Sequence, residues 1–194
     1  MTLLTRRTFL SSLAGACATA VIPSYGLATA KRPGSRLDRL VPLIDPVVDL
    51  HNPHTGDTLT TRFHGPTGYD PDAVALINYL MRDWREASIV QMDVRLFWAL
   101  AVIRQAAMKD GHSGLIHLNS GYRTKKTNDH LRSLGYHTAP SSMHIKAQAN
   151  DIVVEGAKVA DIAKFVEWLQ VGGTGHYRGS FVHMDSGPIR QWSE

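Results

Sequence analysis

Cysteine is almost absent from the chain, with Cys17 alone in 194 residues. It lies in an N-terminal segment that reads as an export signal, so the mature protein is expected to contain none. That excludes disulfide staples, a thiolate nucleophile and any cysteine metal ligand. A strong charge of one sign is missing too, with 21 Lys and Arg against 17 Asp and Glu. No basic stripe interleaved with aromatics occurs, which argues against nucleic acid as a partner. No internal repeat or low-complexity tract is present. The remainder is ordinary globular composition, 43% hydrophobic and 20% charged, on a length suited to one domain with one core. A monomer is the favoured state.

The first residues carry an address rather than a fold. Arg6-Arg7 precede Phe9-Leu10, an uncharged run extends from Leu10 to Ile22, and Ala28-Thr29-Ala30 forms an A-x-A site before Lys31. Residues 1–30 are therefore expected to be a twin-arginine-type export signal, cleaved near Ala30, that delivers the protein to the periplasm or cell envelope. The apolar run is too short for a stable membrane span, so none is expected after signal removal. A Sec-type signal with a basic start is one alternative. Lipidation at Cys17 is another, although Ala14-Gly15-Ala16 lacks the usual large apolar residue before such a site. Removing the signal takes away two arginines and no acid, leaving 19 basic residues against 17 acidic ones.

Residues 31–50 read as an N-terminal lead-in that begins with the flexible KRPGSR, and residues 51–194 as the working domain. A turn at Thr55-Gly56-Asp57 predicts a hairpin. Asp70-Pro71 opens a helix whose stripe runs through Val74, Ile77, Met81 and Trp84. A second helix starts near Asp93 and buries Leu96, Leu100, Ile103 and Ala107. Strands are expected at 115–120, 149–154 and 181–185, with helices over 124–134 and through Val159, Ile162, Val166 and Leu169. Helices first, then strands mixed with helices, give an α+β class. Trp84, Trp98 and Trp168 are expected in the core.

His144, Asp151 and His183 are candidate metal ligands. Zinc holds its donors near 2.0–2.2 Å, which sets neighbouring ligand atoms roughly 3.3 Å apart. Seven residues rise about 10.5 Å in a helix and about 23 Å in a strand. His144 and Asp151 can share an ion only if the chain bends between them, and Ala147-Gln148-Ala149 is small enough to allow it. Strand alternation then puts Asp151 on one face of 149–154, and His183 with Asp185 on one face of 181–185. The competing reading is a chance trio in a chain that has ten histidines.

S-M-H-x6-D followed by F-V-H-M-D-S-G resembles the zinc peptidases of the D-Ala-D-Ala carboxypeptidase group, which share a fold with lysostaphin-type enzymes and the hedgehog domain. Within that group the chain is most similar to the murein endopeptidase K branch. HTGD (54–57), NYLMRDWR (78–85), SGYRT (120–124) and GPIRQW (187–192) carry that closer similarity. The resemblance implies a small antiparallel sheet that carries one Zn2+ on His144, Asp151 and His183, flanked by helices. It also implies peptidoglycan peptides as the substrate.

Amide hydrolysis by zinc-activated water further needs a proton acceptor and an oxyanion donor. Arg123 in SGYRT matches a substrate-facing position, suited to a carboxylate or a carbonyl oxygen. Ser142 joins it as a substrate-binding candidate. Many members of the wider group place a Glu three residues before the last ligand, but here Ser180 stands there. Asp185 and His176 are the candidate bases, with Asp185 alternatively orienting His183. His51 and His54 read as surface residues, and His112, His117, His130 and His137 as isolated ones. The leading expectation is an exported zinc-dependent murein endopeptidase. The alternatives are a carboxypeptidase on stem peptides, an enzyme of the same fold with a different substrate, and a zinc-containing wall-binding module without a working base.

Overall fold

The structure, a computed structural model, describes residues 34–136 and 138–194. The expected export signal and His137 lie outside the described residues.

Two short N-terminal pieces, α1 (Arg36–Leu40) and a 3-10 turn (Val41–Leu43), lead into β1 (Val47–His51), which pairs antiparallel with β2 (Thr58–Arg62). A minor hairpin, β3 (His64–Gly65) and β4 (Gly68–Tyr69), precedes α2 (Pro71–Leu80) and α3 (Val94–Lys109). Then come β5 (Ile116–Ser120), α4 (Lys125–Ser133), β6 (Ala149–Val154) and α5 (Val159–Leu169). The chain closes with β7 (Gly173–Tyr177), β8 (Phe181–Asp185) and β9 (Arg190–Ser193). The main sheet has seven strands in the order β2-β1-β5-β6-β8-β7-β9. Among the described residues, only β1/β5 and β7/β9 run parallel.

The α+β expectation holds. The sheet is larger than expected and mixed rather than wholly antiparallel, because β7 and β9 lie outside the expected strands and pair parallel, and β1, one arm of the expected hairpin, also pairs parallel with β5. The expected lead-in is likewise corrected from residue 36 onward. Leu37, Val48 and Leu50 are fully buried, so α1 and β1 belong to the core.

Sequence chemistry sets the helix starts. The Asp70 side chain accepts from the amides of Asp72 and Ala73, with Pro71 in the first turn. Asp93 caps α3 by accepting from Arg95 N, and Thr124 caps α4 by accepting from Thr127 N. The α2 stripe ends sooner than its periodicity suggests. Met81 is buried, but the chain leaves the helix there and turns back through an Asp83–Ser88 bridge. Trp84 sits on that turn and is 37% exposed; Trp168 is 45% exposed on α5, and only Trp98 is buried as expected.

Period-2 alternation divides the sheet chemically. Leu59, Val48, Leu50, Ile116, Leu118, Ile152, Val154, Val182 and Met184 are buried toward the helices. The opposite face carries His51, His117, Asp151, His183 and Asp185, which the register places on a common side.

Arg95 joins the helix layer to the N-terminal pieces. It is 1% exposed, with Nη1 2.5 Å from Asp38 Oδ1, Nη2 donating to Ser35 Oγ at 3.0 Å and Nε to the Val171 carbonyl at 3.1 Å. Removing the buried Arg95 takes away its charge-assisted hydrogen bonds to Asp38, Ser35 and the Val171 carbonyl. Arg95→Ala should lower the unfolding free energy by about 1.5–3 kcal/mol, measured by urea denaturation.

Candidate metal centre

The bend expected between His144 and Asp151 is a compact turn. Successive bonds run from Ile145 N to Ser142 O, Lys146 N to Met143 O and Ala147 N to His144 O. Ala147 ends it with φ 58°, a left-handed conformation that a β-branched residue would resist. Gln148 N then donates to Met143 O, and β6 begins at Ala149. Ser142 works inside this turn, its Oγ accepting from His144 N at 3.3 Å. Met143 packs where a side chain on Gly187 would stand, so S-M-H and D-S-G lock onto each other.

Asp151 and His183 are directly opposed across β6 and β8. With His144 they bring three donor atoms together. His183 Nδ1 lies 2.9 Å from Asp151 Oδ1, and His144 Nε2 lies 3.2 Å from both. These separations match the roughly 3.3 Å edge of a tetrahedral shell. The donor set of two imidazoles and one carboxylate suits a divalent ion such as zinc. All three residues are buried.

Each imidazole is held from behind. His144 Nδ1–H donates to the Gly121 carbonyl at 2.6 Å, leaving Nε2 as the free donor atom. Gly121 can approach so closely only without a Cβ, which would overlap the Met81 backbone. A register shift between Leu118 and Ser120 in β5 sets up this crossing. His183 is the mirror case, with Nε2–H donating to Asp185 Oδ2 at 3.0 Å and Nδ1 facing the cluster.

Asp185 is fully buried and heavily engaged. Arg190 grips it bidentately at 2.6 and 3.1 Å, and the amides of Gly173 and Gly187 donate to Oδ1 at 3.0 and 2.8 Å. A side chain at Gly173 would overlap Arg190 and Asp185, and one at Gly175 would overlap the Trp192 ring. The glycines of β7 thus admit β9, whose Trp192 ring centroid lies 5.2 Å from that of His183.

The other expected site residues divide. Arg123 reaches the cluster, with Nη2 3.5 Å from Asp151 Oδ2, and its buried Nε has no partner. His176 does not. It opposes Val182 in the β7/β8 register, one position off the Gly175–His183 pair, so its side chain leaves the sheet on the helix face. The expectation that His176 faces the metal ligands is corrected on that ground. His117 is not isolated either, since its Nδ1 lies 2.9 Å from that of His51 across the parallel β1/β5 pair. Arg190 and Gly121 were overlooked as site residues, although the motifs GPIRQW and SGYRT and the spacing Gly172-Gly173-x-Gly175 pointed at them.

Without a metal, the cluster is electrostatically one-sided. Burial pushes the His144 imidazole down, against the pull of the Asp151 carboxylate. Burial also opposes charge on Asp151, yet the charges and hydrogen bonds of His144 and His183 hold its carboxyl far below the usual range. Burial opposes charge on His183 as well, but hydrogen bonds to Asp151 and Asp185 lift its pKa to about 9.

The architecture is mixed α/β, and its donor cluster could hold a divalent metal ion. A family model described as "Peptidoglycan L,D-endopeptidase MepK" matches residues 45–192. The chain is 33% identical over 188 residues to the peptidoglycan L,D-endopeptidase MepK of Escherichia coli strain K12, covering 96% of each. It is 30% identical over 189 residues to the probable peptidoglycan L,D-endopeptidase MepK of Haemophilus influenzae, covering 96% of this chain and 95% of the relative. No solved structure matches the chain. The chain belongs to the MepK family of peptidases.

A proton on His183 Nδ1 and a metal ion compete for the same lone pair. In the metal-free protein a raised imidazole pKa adds stability that is complete below about pH 6.5 and lost as pH rises through about 9. Metal affinity runs the other way and should climb about tenfold per pH unit toward that value. Competition against a chromophoric chelator across this range measures it, and a flat profile contradicts the assignment of His183 Nδ1 as a ligand.

Proposed function

We propose that the protein is an exported, zinc-dependent peptidoglycan endopeptidase that hydrolyses amide bonds of L,D type in the peptide cross-links of the cell wall. The observation that carries this reading is the mutual 2.9–3.2 Å spacing of the three donor atoms, with both imidazoles fixed from behind. Family membership supplies the substrate class, since the relatives are named as enzymes acting on that polymer. The signal at residues 1–30 would deliver the protein to the envelope where the polymer lies.

His144, Asp151 and His183 would hold the ion. Zinc there supplies Lewis acidity and a bound water acidified to near neutrality. Arg123 is already oriented by Asp151, and its unpartnered Nε invites an acceptor from the substrate. The scissile carbonyl oxygen, as it gains charge, is the acceptor that fits best. Asp185 acts as a positioning residue, because its oxygens are committed to His183, Arg190 and two backbone amides. Ser142 likewise serves His144 through the turn.

A wall-binding module without turnover is the second reading. It is favoured by one observation, that Ser180 stands where many members of the wider group place their base while Asp185 is tied up behind His183.

Digestion of purified peptidoglycan by zinc-loaded protein should release cross-link fragments detectable by mass spectrometry, and His183→Ala should release none. Identical fragment profiles for the two proteins rule out the peptidase, and sedimentation with the wall without cleavage establishes the module. Asp185→Asn should weaken metal binding by about 10–100-fold, read by the same chelator competition.

A further inference from the structure

The turn after α2 is built to present two side chains beside Arg123. Tyr122 N donates to the Met81 carbonyl at 2.7 Å, which docks this turn on the SGYRT segment. The buried carboxylate of Asp83 completes the joint. Its Oδ1 accepts from Arg85 N at 3.1 Å, and its Oδ2 accepts from Thr124 N and Oγ1 at 2.9 and 3.0 Å. Arg85 and Arg123 therefore project from two chain segments bridged by one carboxylate.

Trp84 is the exposed part of this arrangement. The Arg85 guanidinium lies over its ring, 4.2 Å from the centroid, and His54 stacks on it with centroids 5.2 Å apart at 21°. His54 is itself anchored, its Nε2–H donating to the Asn119 carbonyl at 3.0 Å. An exposed tryptophan in contact with two ordered side chains is a preformed surface with little rotamer entropy left to lose. Among the described residues, no carboxylate pairs with Arg85; the neighbouring Glu86 pairs with Lys126 instead.

We infer that Trp84 and Arg85, with Arg123 alongside, form a carboxylate-reading subsite for the substrate peptide. The group it takes is a free carboxylate of the substrate peptide next to the cut bond, with Arg85 supplying the planar fork and the exposed part of Trp84 an apolar border. The inference rests on the peptidoglycan reading above for the identity of the anion, and on the turn itself for its chemistry.

Binding to metal-free protein tests it apart from catalysis. Two cross-linked muropeptides are titrated calorimetrically, one with its peptide carboxylates free and one with those groups amidated. Wild-type protein should prefer the free form by about tenfold or more. Arg85→Ala should abolish that preference, Arg85→Lys should restore part of it, and Trp84→Ala should weaken both ligands. A preference unchanged in Arg85→Ala overturns the subsite, as does failure of wild-type protein to bind the free form or to prefer it. With zinc present, the ratio of kcat/KM for the two substrates should follow the same order. Failure to cut either substrate while the binding preference persists defeats the peptidase reading and leaves the subsite standing.

Discussion

The pairing of Asp151 with His183 across β6 and β8 is the constraint on which the centre depends. Strand alternation gives each residue only two possible faces, and a slip of one position would send one side chain among the helices. The register is held because Ile152, Val154, Val182 and Met184 must be buried on the other side. Packing on one face of the sheet thus sets ligand geometry on the opposite face. Few interactions at the site itself are needed to bring these two donors together.

His144 comes from outside the sheet, so its position rests on different physics. A closed turn with a left-handed alanine, a carbonyl brought near by a glycine, and a methionine lodged against Gly187 place one imidazole. None of these contacts contributes much alone, but each removes a freedom the ring would otherwise have. The imidazoles also present different nitrogens to the cluster, Nε2 from His144 and Nδ1 from His183. Each choice is made by the acceptor behind the ring, a carbonyl for one and a carboxylate for the other.

Much of this was legible from residue order. Asp70, Asp93 and Thr124 announced their helices as caps, and the apolar alternation of 149–154 and 181–185 marked both ligand strands. The spacing of His144 and Asp151 by itself requires a bend if the two share an ion. What escaped notice is as instructive. β7 and β9 carry too few apolar residues to show a strand period, and their value lies in glycines that leave room for Arg190 and Trp192. Trp84 continued a helical stripe in sequence, but the helix ended at Leu80, and periodicity cannot register a helix end. His176 is one residue out of phase with the ligand face, and that became visible only once the β7/β8 register was known.

The parallel edge formed by β9 also bears on assembly. Arg190, which holds Asp185 and through it the His183 ring, follows all three donors in the chain. A chain interrupted between His183 and Arg190 therefore contains all three donors but lacks the group that fixes one of their rings. β9 thus acts as a latch, and a well-oriented His183 reports that this strand has docked.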